Sequence, residues 1–322
     1  MNFTTILEEV RTIARAAGDA IMSVYARDFS VELKADHSPI TEADRAADGI
    51  ISSGLAQLHP VLPVLSEESA PTPWAQRRQW HRYWLVDPLD GTKEFVKKNG
   101  EFTVNIALVE DHRAVLGVVL APALNLEFSG ALGEGAWRRE ANGPLTRAHV
   151  SAAVRTSTAG QTFLATHAFV AAHTAAAVRT SETAHTLDTA AARAAATART
   201  SDAANVSAPE PVPLVVMGSR SHPGPGLSAF LSRLGPYELK PMGSSLKVCM
   251  IADGRADIYP RIGPTSEWDT AAAQAILESA GGGMIDLAGQ PLRYNTKDRL
   301  LNPHFLAVGD LGRDWLSAVQ NS

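Results

Sequence analysis

Trp84-Leu85-Val86-Asp87-Pro88-Leu89-Asp90-Gly91-Thr92 is the stretch on which the reading of this chain turns. Its apolar start predicts a strand, Pro88 removes a backbone donor and stops strand pairing, and Gly91 permits a tight bend. Asp87 and Asp90 are therefore expected at the mouth of a sheet. Two carboxylates so close repel each other unless a cation compensates them. An all-oxygen donor set favours Mg²⁺ over zinc, which prefers His or Cys. Glu67-Glu68 upstream and Trp268-Asp269 far downstream supply further acidic groups.

The chain around this stretch has 322 residues, enough for one large domain or two moderate ones with a substantial core. Hydrophobic residues make up 45% and charged residues 20%, the balance of an ordinary globular protein. A formal charge of -5 carries no footprint of extended nucleic-acid binding, so nucleic acid is not expected as a partner. The single cysteine, Cys249, has no intrachain partner and is expected as a buried, inert thiol in a reducing compartment. No apolar run approaches the ~18–20 residues of a membrane span, and the N-terminus lacks a basic region followed by an apolar stretch. These features predict a cytoplasmic protein with no transmembrane segment.

Ile6, Val10, Ile13, Ala14, Ala17, Ile21 and Val24 recur at helical intervals, and a second helix is expected from about Thr41 to Leu58, started by Thr41 or Ser38. Alternation at Phe102, Val104, Ile106 and Leu108 predicts a strand, turned through Asp111-His112-Arg113 into another at Val115 to Leu120. Leu126 to Phe128 and Gly135 to Arg138 continue a sheet-rich region. Strand is expected again at Leu214 to Met217 and Ala256 to Arg261, and helix at Ser244 to Ala252 and Trp268 to Ala280, the last ended by Gly281-Gly282-Gly283. Strands mixed with helices in both halves indicate a layered α/β or α+β architecture with a cleft between two subdomains, 1–150 and 214–322. Between them, 151–213 is rich in Ala, Thr, Ser and Arg with few large apolar residues, and is expected as a disordered or loosely helical insertion.

Hydrolysis of a phosphate ester needs phosphoryl charge neutralised, a water activated and the leaving alkoxide stabilised. Two metal ions about 3.5–4 Å apart can serve all three. Glu67, Asp87, Asp90 and Asp269 supply the anionic ligands for such a cluster, with the Leu89 carbonyl as a further oxygen. Glu68 sits close enough in sequence to hold a water in the metal's shell. The N–H groups of Gly91 and Thr92 are expected to open a turn or helix and to meet a phosphate oxygen. Each fragment alone has an ordinary explanation. Asp-x-x-Asp is common in surface loops, Glu67-Glu68 reads as a solvated turn, Asp269 as a helix cap, and Trp268 as core packing.

Taken together, Glu67-Glu68, Asp87-Pro88-Leu89-Asp90-Gly91-Thr92 and Trp268-Asp269-Thr270-Ala271-Ala272 resemble the signature of the inositol monophosphatase superfamily. Pro63 through Glu68, Tyr83 through Phe95, Asn99 through Leu108 and Gly243 through Ala273 look like its bacterial 3′(2′),5′-bisphosphate nucleotidase subgroup, the CysQ type. The resemblance implies the sugar-phosphatase fold of alternating helix and sheet layers. It implies Mg²⁺ bound by Glu67, Asp87, Leu89, Asp90 and Asp269, with Thr92 paired to Asp44 to activate the attacking water. Asp44, without the family, reads as an exposed helix residue. The same resemblance places His222, Ser244, Lys247 and Arg261 around a nucleotide, beside Gly91 and the metal-binding residues. On residue type alone Lys247 and Arg261 are ordinary surface charges and His222 an ordinary turn histidine.

The activity so implied is hydrolysis of adenosine 3′,5′-bisphosphate to AMP and phosphate, and of the 3′-phosphate of 3′-phosphoadenylyl sulfate, in support of sulfate assimilation and with sensitivity to lithium. Some bacterial relatives attach loosely to the cytoplasmic face of the inner membrane, which nothing in these residues demands. Two alternatives stand beside this reading: an inositol or sugar phosphatase of the same superfamily, and a non-catalytic nucleotide sensor. Oligomeric state leaves no signature in the sequence.

Overall fold

In the computed structural model, residues 2–33, 39–151, 212–219 and 225–319 are described. The 151–213 insertion, apart from its first and last residues, and the turn bearing His222 therefore lie outside the described residues. Helix α1 (Phe3–Tyr25) buries the predicted stripe, and the Asn2 side chain caps it by accepting from the Thr4 and Thr5 N–H groups at 3.1 and 3.3 Å. A short ribbon, β1 (Val31–Leu33) and β2 (Pro39–Thr41), leads into α2 (Glu42–Leu55). Thr41 rather than Ser38 starts α2. Its hydroxyl accepts from the Ala43 N–H, and Asp44 reaches back to the Thr41 N–H, a capping box.

A seven-stranded sheet follows: β3 (Val64–Ser66), β4 (Arg82–Asp90), β5 (Thr103–Glu110), β6 (Arg113–Ala121), β7 (Leu126–Ala131), β8 (Gly135–Glu140) and β9 (Thr146–Ala148), in that spatial order. Two short helices interrupt it, α3 (Trp74–Arg77) and α4 (Thr92–Val96). Only β3 and β4 are parallel; the remaining neighbours are antiparallel. The predicted hairpin closes at Asp111-His112, both at positive φ of 44° and 67°, as a two-residue turn between twisted strands requires.

The second sheet has the order β11-β10-β12-β14-β13, with β10 (Leu214–Ser219), β11 (Tyr237–Met242), β12 (Ile258–Arg261), β13 (Gly283–Asp286) and β14 (Phe305–Val308). Helices α5 (Pro225–Leu231), α6 (Leu246–Ala252) and α7 (Ala271–Ser279) belong to this half. Strand β11 escaped the sequence reading: Tyr237-Glu238-Leu239-Lys240 alternates, but the run is short, ends in Pro241 and is almost wholly exposed. Helix α7 is shorter than expected: Trp268-Asp269-Thr270 form a turn before it.

Period-2 alternation distributes the large sheet over two cores. Trp84, Val86, Val104, Ile106 and Leu108 pack with α1 and α2. Tyr83, Leu85, Ala107, Val109 and Phe128 pack with α6 and α7, where Cys249 is buried as expected and its thiol pKa is pushed up by burial. A third cluster covers the outer face of the second sheet with α5 and the C-terminal residues Trp315 and Ala318. The result is the layered α/β arrangement the sequence implies, and no helix among the described residues is long and apolar enough to cross a membrane.

Gly117 on β6 sets how closely α7 lies on the sheet. A Cβ there would stand 2.1 Å from the Ala272 carbonyl oxygen, a backbone atom with no rotamer to yield. Gly117→Ala is therefore expected to lift the start of α7, lowering stability by about 1–3 kcal/mol. Because Asp269 lies in the turn that leads into α7, activity should fall with it. Chemical denaturation and turnover measured on the same variant check both effects.

Candidate active site

Strand β4 delivers Asp87 on the face of Tyr83 and Leu85, toward α6 and α7. The β4–β5 ladder pairs Asp87 with Asn105, breaks, and resumes at Asp90 with Thr103. Pro88 and Leu89 thus form a bulge rather than the end of the strand. The Leu89 N–H, freed from the ladder, donates to Asp87 Oδ1 at 3.0 Å. Glu67 follows β3 and is held against the end of β4 by its N–H to the Val86 carbonyl at 3.1 Å. Asp269 arrives from the turn before α7. Its Oδ2 accepts from the Ser266 N–H at 2.9 Å and the Thr265 hydroxyl at 2.8 Å, so it fastens its own turn instead of capping α7. One oxygen each of Glu67, Asp87 and Asp269 lies within 4.8 Å of the others.

Asp87 is 1% exposed, and burial pushes its carboxyl well above the usual range, with Glu67, Asp90 and Asp269 adding to the rise. Asp269 opens onto a cleft, yet desolvation and then the Asp90 charge push it up to about 7. Asp90 is raised chiefly by burial, against the opposing pull of Lys247. Such a group of carboxylates cannot be fully ionised without a compensating positive charge. The donor set is entirely oxygen, and Asp87, Asp90 and Asp269 each spend one oxygen on a hydrogen bond and keep a second to offer a cation. These residues fit a hard divalent ion of the Mg²⁺ kind.

Asp44 and Thr92 meet beside this cluster. Asp44 is 1% exposed, not the surface residue its helix suggested. Its Oδ2 is anchored by the Thr41 N–H at 2.8 Å and the Thr41 hydroxyl at 2.7 Å, while Oδ1 lies 3.3 Å from Thr92 Oγ1. Thr92 Oγ1 is also 3.3 Å from the Leu89 carbonyl. With one proton on that hydroxyl, the carboxylate and the carbonyl are alternative acceptors. Gly91, at φ 91°, turns the chain into α4, and a side chain there would press on the Glu101 carbonyl at 3.2 Å.

The acidic cluster forms one wall of a cleft of about 880 Å³ that also takes in Leu89, Asp90, Gly91, Thr92, Ser244, Lys247 and Arg261. Ser244 is held at φ 47°, a left-handed conformation, with its hydroxyl 2.9 Å from that of Thr103. Lys247 is 6% exposed. Its Nζ donates to the Ser244 carbonyl at 2.6 Å and stands 5.2 Å from the centre of the Tyr259 ring. Burial lowers its ammonium pKa to about 8 despite the nearby Asp90. Arg261 donates to the Pro264 carbonyl at 2.5 Å and to the Tyr259 hydroxyl at 3.4 Å. Neither cation is an ordinary surface charge. Sequence reasoning missed Ser245, Asn105 and Thr103, which tie the walls together. Asn105 carried a usable signal, a polar residue inside a strand buried on both faces.

Comparison with known proteins identifies the family of this chain. A 3′(2′),5′-bisphosphate nucleotidase CysQ of Escherichia coli O157:H7 is 41% identical over 302 residues, 93% of this chain and 98% of that protein. The protein of the same name from Salmonella typhimurium is also 41% identical over 302 residues, with the same coverage of this chain and of that protein. The crystal structure of CysQ from Bacteroides thetaiotaomicron, described as a bacterial member of the inositol monophosphatase family, superposes with a TM-score of 0.68 at 33% identity, covering 96% of this chain and 99% of that one. The model of the inositol monophosphatase family matches residues 3–311. The chain belongs to the inositol monophosphatase family.

Proposed function

We propose that the protein is a Mg²⁺-dependent 3′(2′),5′-bisphosphate nucleotidase that hydrolyses the 3′-phosphate of adenosine 3′,5′-bisphosphate, giving AMP and inorganic phosphate. The observation that carries this reading is the meeting of Glu67, Asp87 and Asp269 in one cluster, on the wall of a cleft that also holds Lys247 and Arg261. Relatives named for that activity, about two-fifths identical over nearly their whole length, support it. Bound by Glu67, Asp87, Asp90, Asp269 and the Leu89 carbonyl, Mg²⁺ would neutralise charge on the phosphoryl oxygens and make a bound water more acidic.

The chain's own groups supply the rest. Thr92 Oγ1 takes a proton from the attacking water as its own passes to Asp44 Oδ1, 3.3 Å away. Two hydrogen bonds from Thr41 hold the other Asp44 oxygen, so this carboxylate keeps its orientation through the transfer. The backbone of Gly91 and Thr92 borders the same wall and confines the phosphoryl group. A substrate with two phosphates needs positive charge beyond that of the ion, and Lys247, beside Asp90, and Arg261 provide it.

Purified protein in Mg²⁺ is expected to release phosphate from adenosine 3′,5′-bisphosphate far faster than from inositol 1-phosphate; the reverse order would overturn the substrate assignment. Lys247 adds a pH signature. With its ammonium lowered to about 8, kcat/KM for the bisphosphate should fall as pH rises through that value. In Lys247→Met the descending limb near 8 should disappear and kcat/KM should drop roughly 10- to 100-fold, as expected for loss of a charge-assisted contact of about 1.5–3 kcal/mol. A pH–rate series on both proteins checks this.

A further inference from the structure

We infer that Ser245 is a positioning residue for the cation site, clasping Asp90 to the turn that carries Asp269. The inference rests on the metal-dependent reading above and adds a residue to it. Ser245 stands immediately before α6, where a serine ordinarily turns its oxygen back to cap the helix N–H groups. Here it makes no side-chain cap at all. The hydroxyl instead lies 2.6 Å from the Asp269 carbonyl oxygen and 3.2 Å from Asp90 Oδ2, and it accepts from Asn105 Nδ2 at 2.9 Å.

A hydroxyl has one proton to give. The nearer acceptor, the Asp269 carbonyl, takes it. Asp90 Oδ2 does not go short, because the Ser245 main-chain N–H donates to it at 2.8 Å. One residue therefore holds Asp90 through its backbone and the Asp269 turn through its side chain. Asn105 is fixed in turn by the Thr103 hydroxyl, which donates to Asn105 Oδ1 at 3.0 Å and leaves the amide NH₂ for Ser245. Ser245, Asn105 and Thr103 are all buried, so water does not compete for these bonds. β4 and α7 come from distant parts of the chain, and this contact sets the separation of two carboxylates close enough for the charge of Asp90 to act on Asp269. Partners of this kind, behind the ligands, typically govern metal affinity by about 10–100-fold.

Ser245→Ala keeps the N–H on Asp90 and deletes only the tie to Asp269 and Asn105. Calorimetric titration of the EDTA-stripped full-length protein with Mg²⁺ should show affinity weakened roughly 10- to 100-fold. Turnover should fall with the affinity at limiting Mg²⁺ and climb as Mg²⁺ is raised, as expected of a residue that acts through the ion. Ser245→Thr restores the hydroxyl and should recover most of the affinity. Ser129→Ala is the comparison for mere loss of a buried hydroxyl. That oxygen accepts from Arg11 at 2.9 and 2.6 Å in another part of the fold, so its removal should lower the melting temperature and leave Mg²⁺ affinity unchanged. Equal Mg²⁺ affinity in the unmodified protein and Ser245→Ala would overturn the inference while leaving the metal reading intact, and so would a Ser245→Thr as weak as the alanine variant. Absence of saturable Mg²⁺ binding by the unmodified protein would overturn both.

Discussion

Asp87→Asn is expected to lower kcat roughly 10²–10³-fold at saturating Mg²⁺ and, in EDTA at pH 8, to melt at a higher temperature than the unmodified protein. The loss follows from removing a buried anionic ligand. The gain in stability follows from the same burial. The Asp87 carboxyl is held well above its ordinary pKa by desolvation and by Glu67, Asp90 and Asp269, so ionising it in the folded protein is unfavourable. Asparagine has nearly the same shape and can still accept from the Leu89 N–H, the bond Asp87 now makes at 3.0 Å. A chain of this length gains about 2–4 °C for each kcal/mol of repulsion relieved.

The sign of the pH dependence follows from linkage. A carboxyl whose folded pKa is raised binds its proton on folding, so its penalty is present above the folded value and fades as pH falls through it. Asp87 is raised well above its ordinary value, so its penalty stands at pH 8 and fades toward acid pH, whereas Asp269, pushed up to about 7, titrates in both proteins. The EDTA-treated protein should therefore gain stability relative to Asp87→Asn as pH is lowered from 8 to 5. Added Mg²⁺ should stabilise the unmodified protein at pH 8 far more than the variant. Thermal melts at two pH values, with and without Mg²⁺, read all of this. A variant that loses activity and also loses stability in EDTA would show that Asp87 serves the fold, not a cation.

The second large effect is expected at Asp44. Asp44→Asn should cut kcat roughly 10²–10⁴-fold, the span of a general acid–base contribution, with Mg²⁺ affinity and KM nearly unchanged. Asparagine can still accept from the Thr41 N–H, so the start of α2 is preserved and the melting temperature should stay within a few degrees. Thr92→Ala should match it in kcat, because the two groups act in one proton path across 3.3 Å. Combining both substitutions should then cost little more than either alone. Single-turnover rates for the three proteins decide the matter, and additive losses would mean that the two side chains act separately.

Much of this arrangement can be read from the chain because local pattern and long-range placement agree. The alternation along Val104, Ile106 and Leu108 marks β5, and the helical stripe from Ile6 to Val24 marks α1. Asp87-Pro88-Leu89-Asp90 reads as a strand end that presents carboxylates. What Pro88 does there, a bulge inside a continuing strand, needs the partner strand to be seen. Asp44 shows the limit of local reasoning. On local pattern it reads as an exposed helix residue, yet it is the buried partner of Thr41 in the capping box, and nothing nearby signals Thr92, on an element that meets α2 only in the folded protein. Arg77 is a sharper case. In the polar run Gln76-Arg77-Arg78-Gln79 it reads as surface charge, yet it is buried, with Asn295 and the Lys297 carbonyl 2.6 and 3.1 Å from its Nη1. Strand β11 shows the opposite case: Tyr237 and Leu239 alternate with Glu238 and Lys240, but so short a run on an exposed edge, ending in Pro241, does not stand out as a strand.

In the function proposed, acidic side chains from separate segments converge to hold a divalent cation beside the ester to be cleaved. Crystals grown without metal and soaked in Mn²⁺, a heavier stand-in for Mg²⁺, test it most directly through anomalous scattering. An anomalous peak enclosed by the carboxylates of Glu67, Asp87 and Asp269, on the wall of the cleft that holds Lys247, is the expected result. Peaks only at other surfaces, or Asp269 turned away from Glu67 and Asp87, would contradict it.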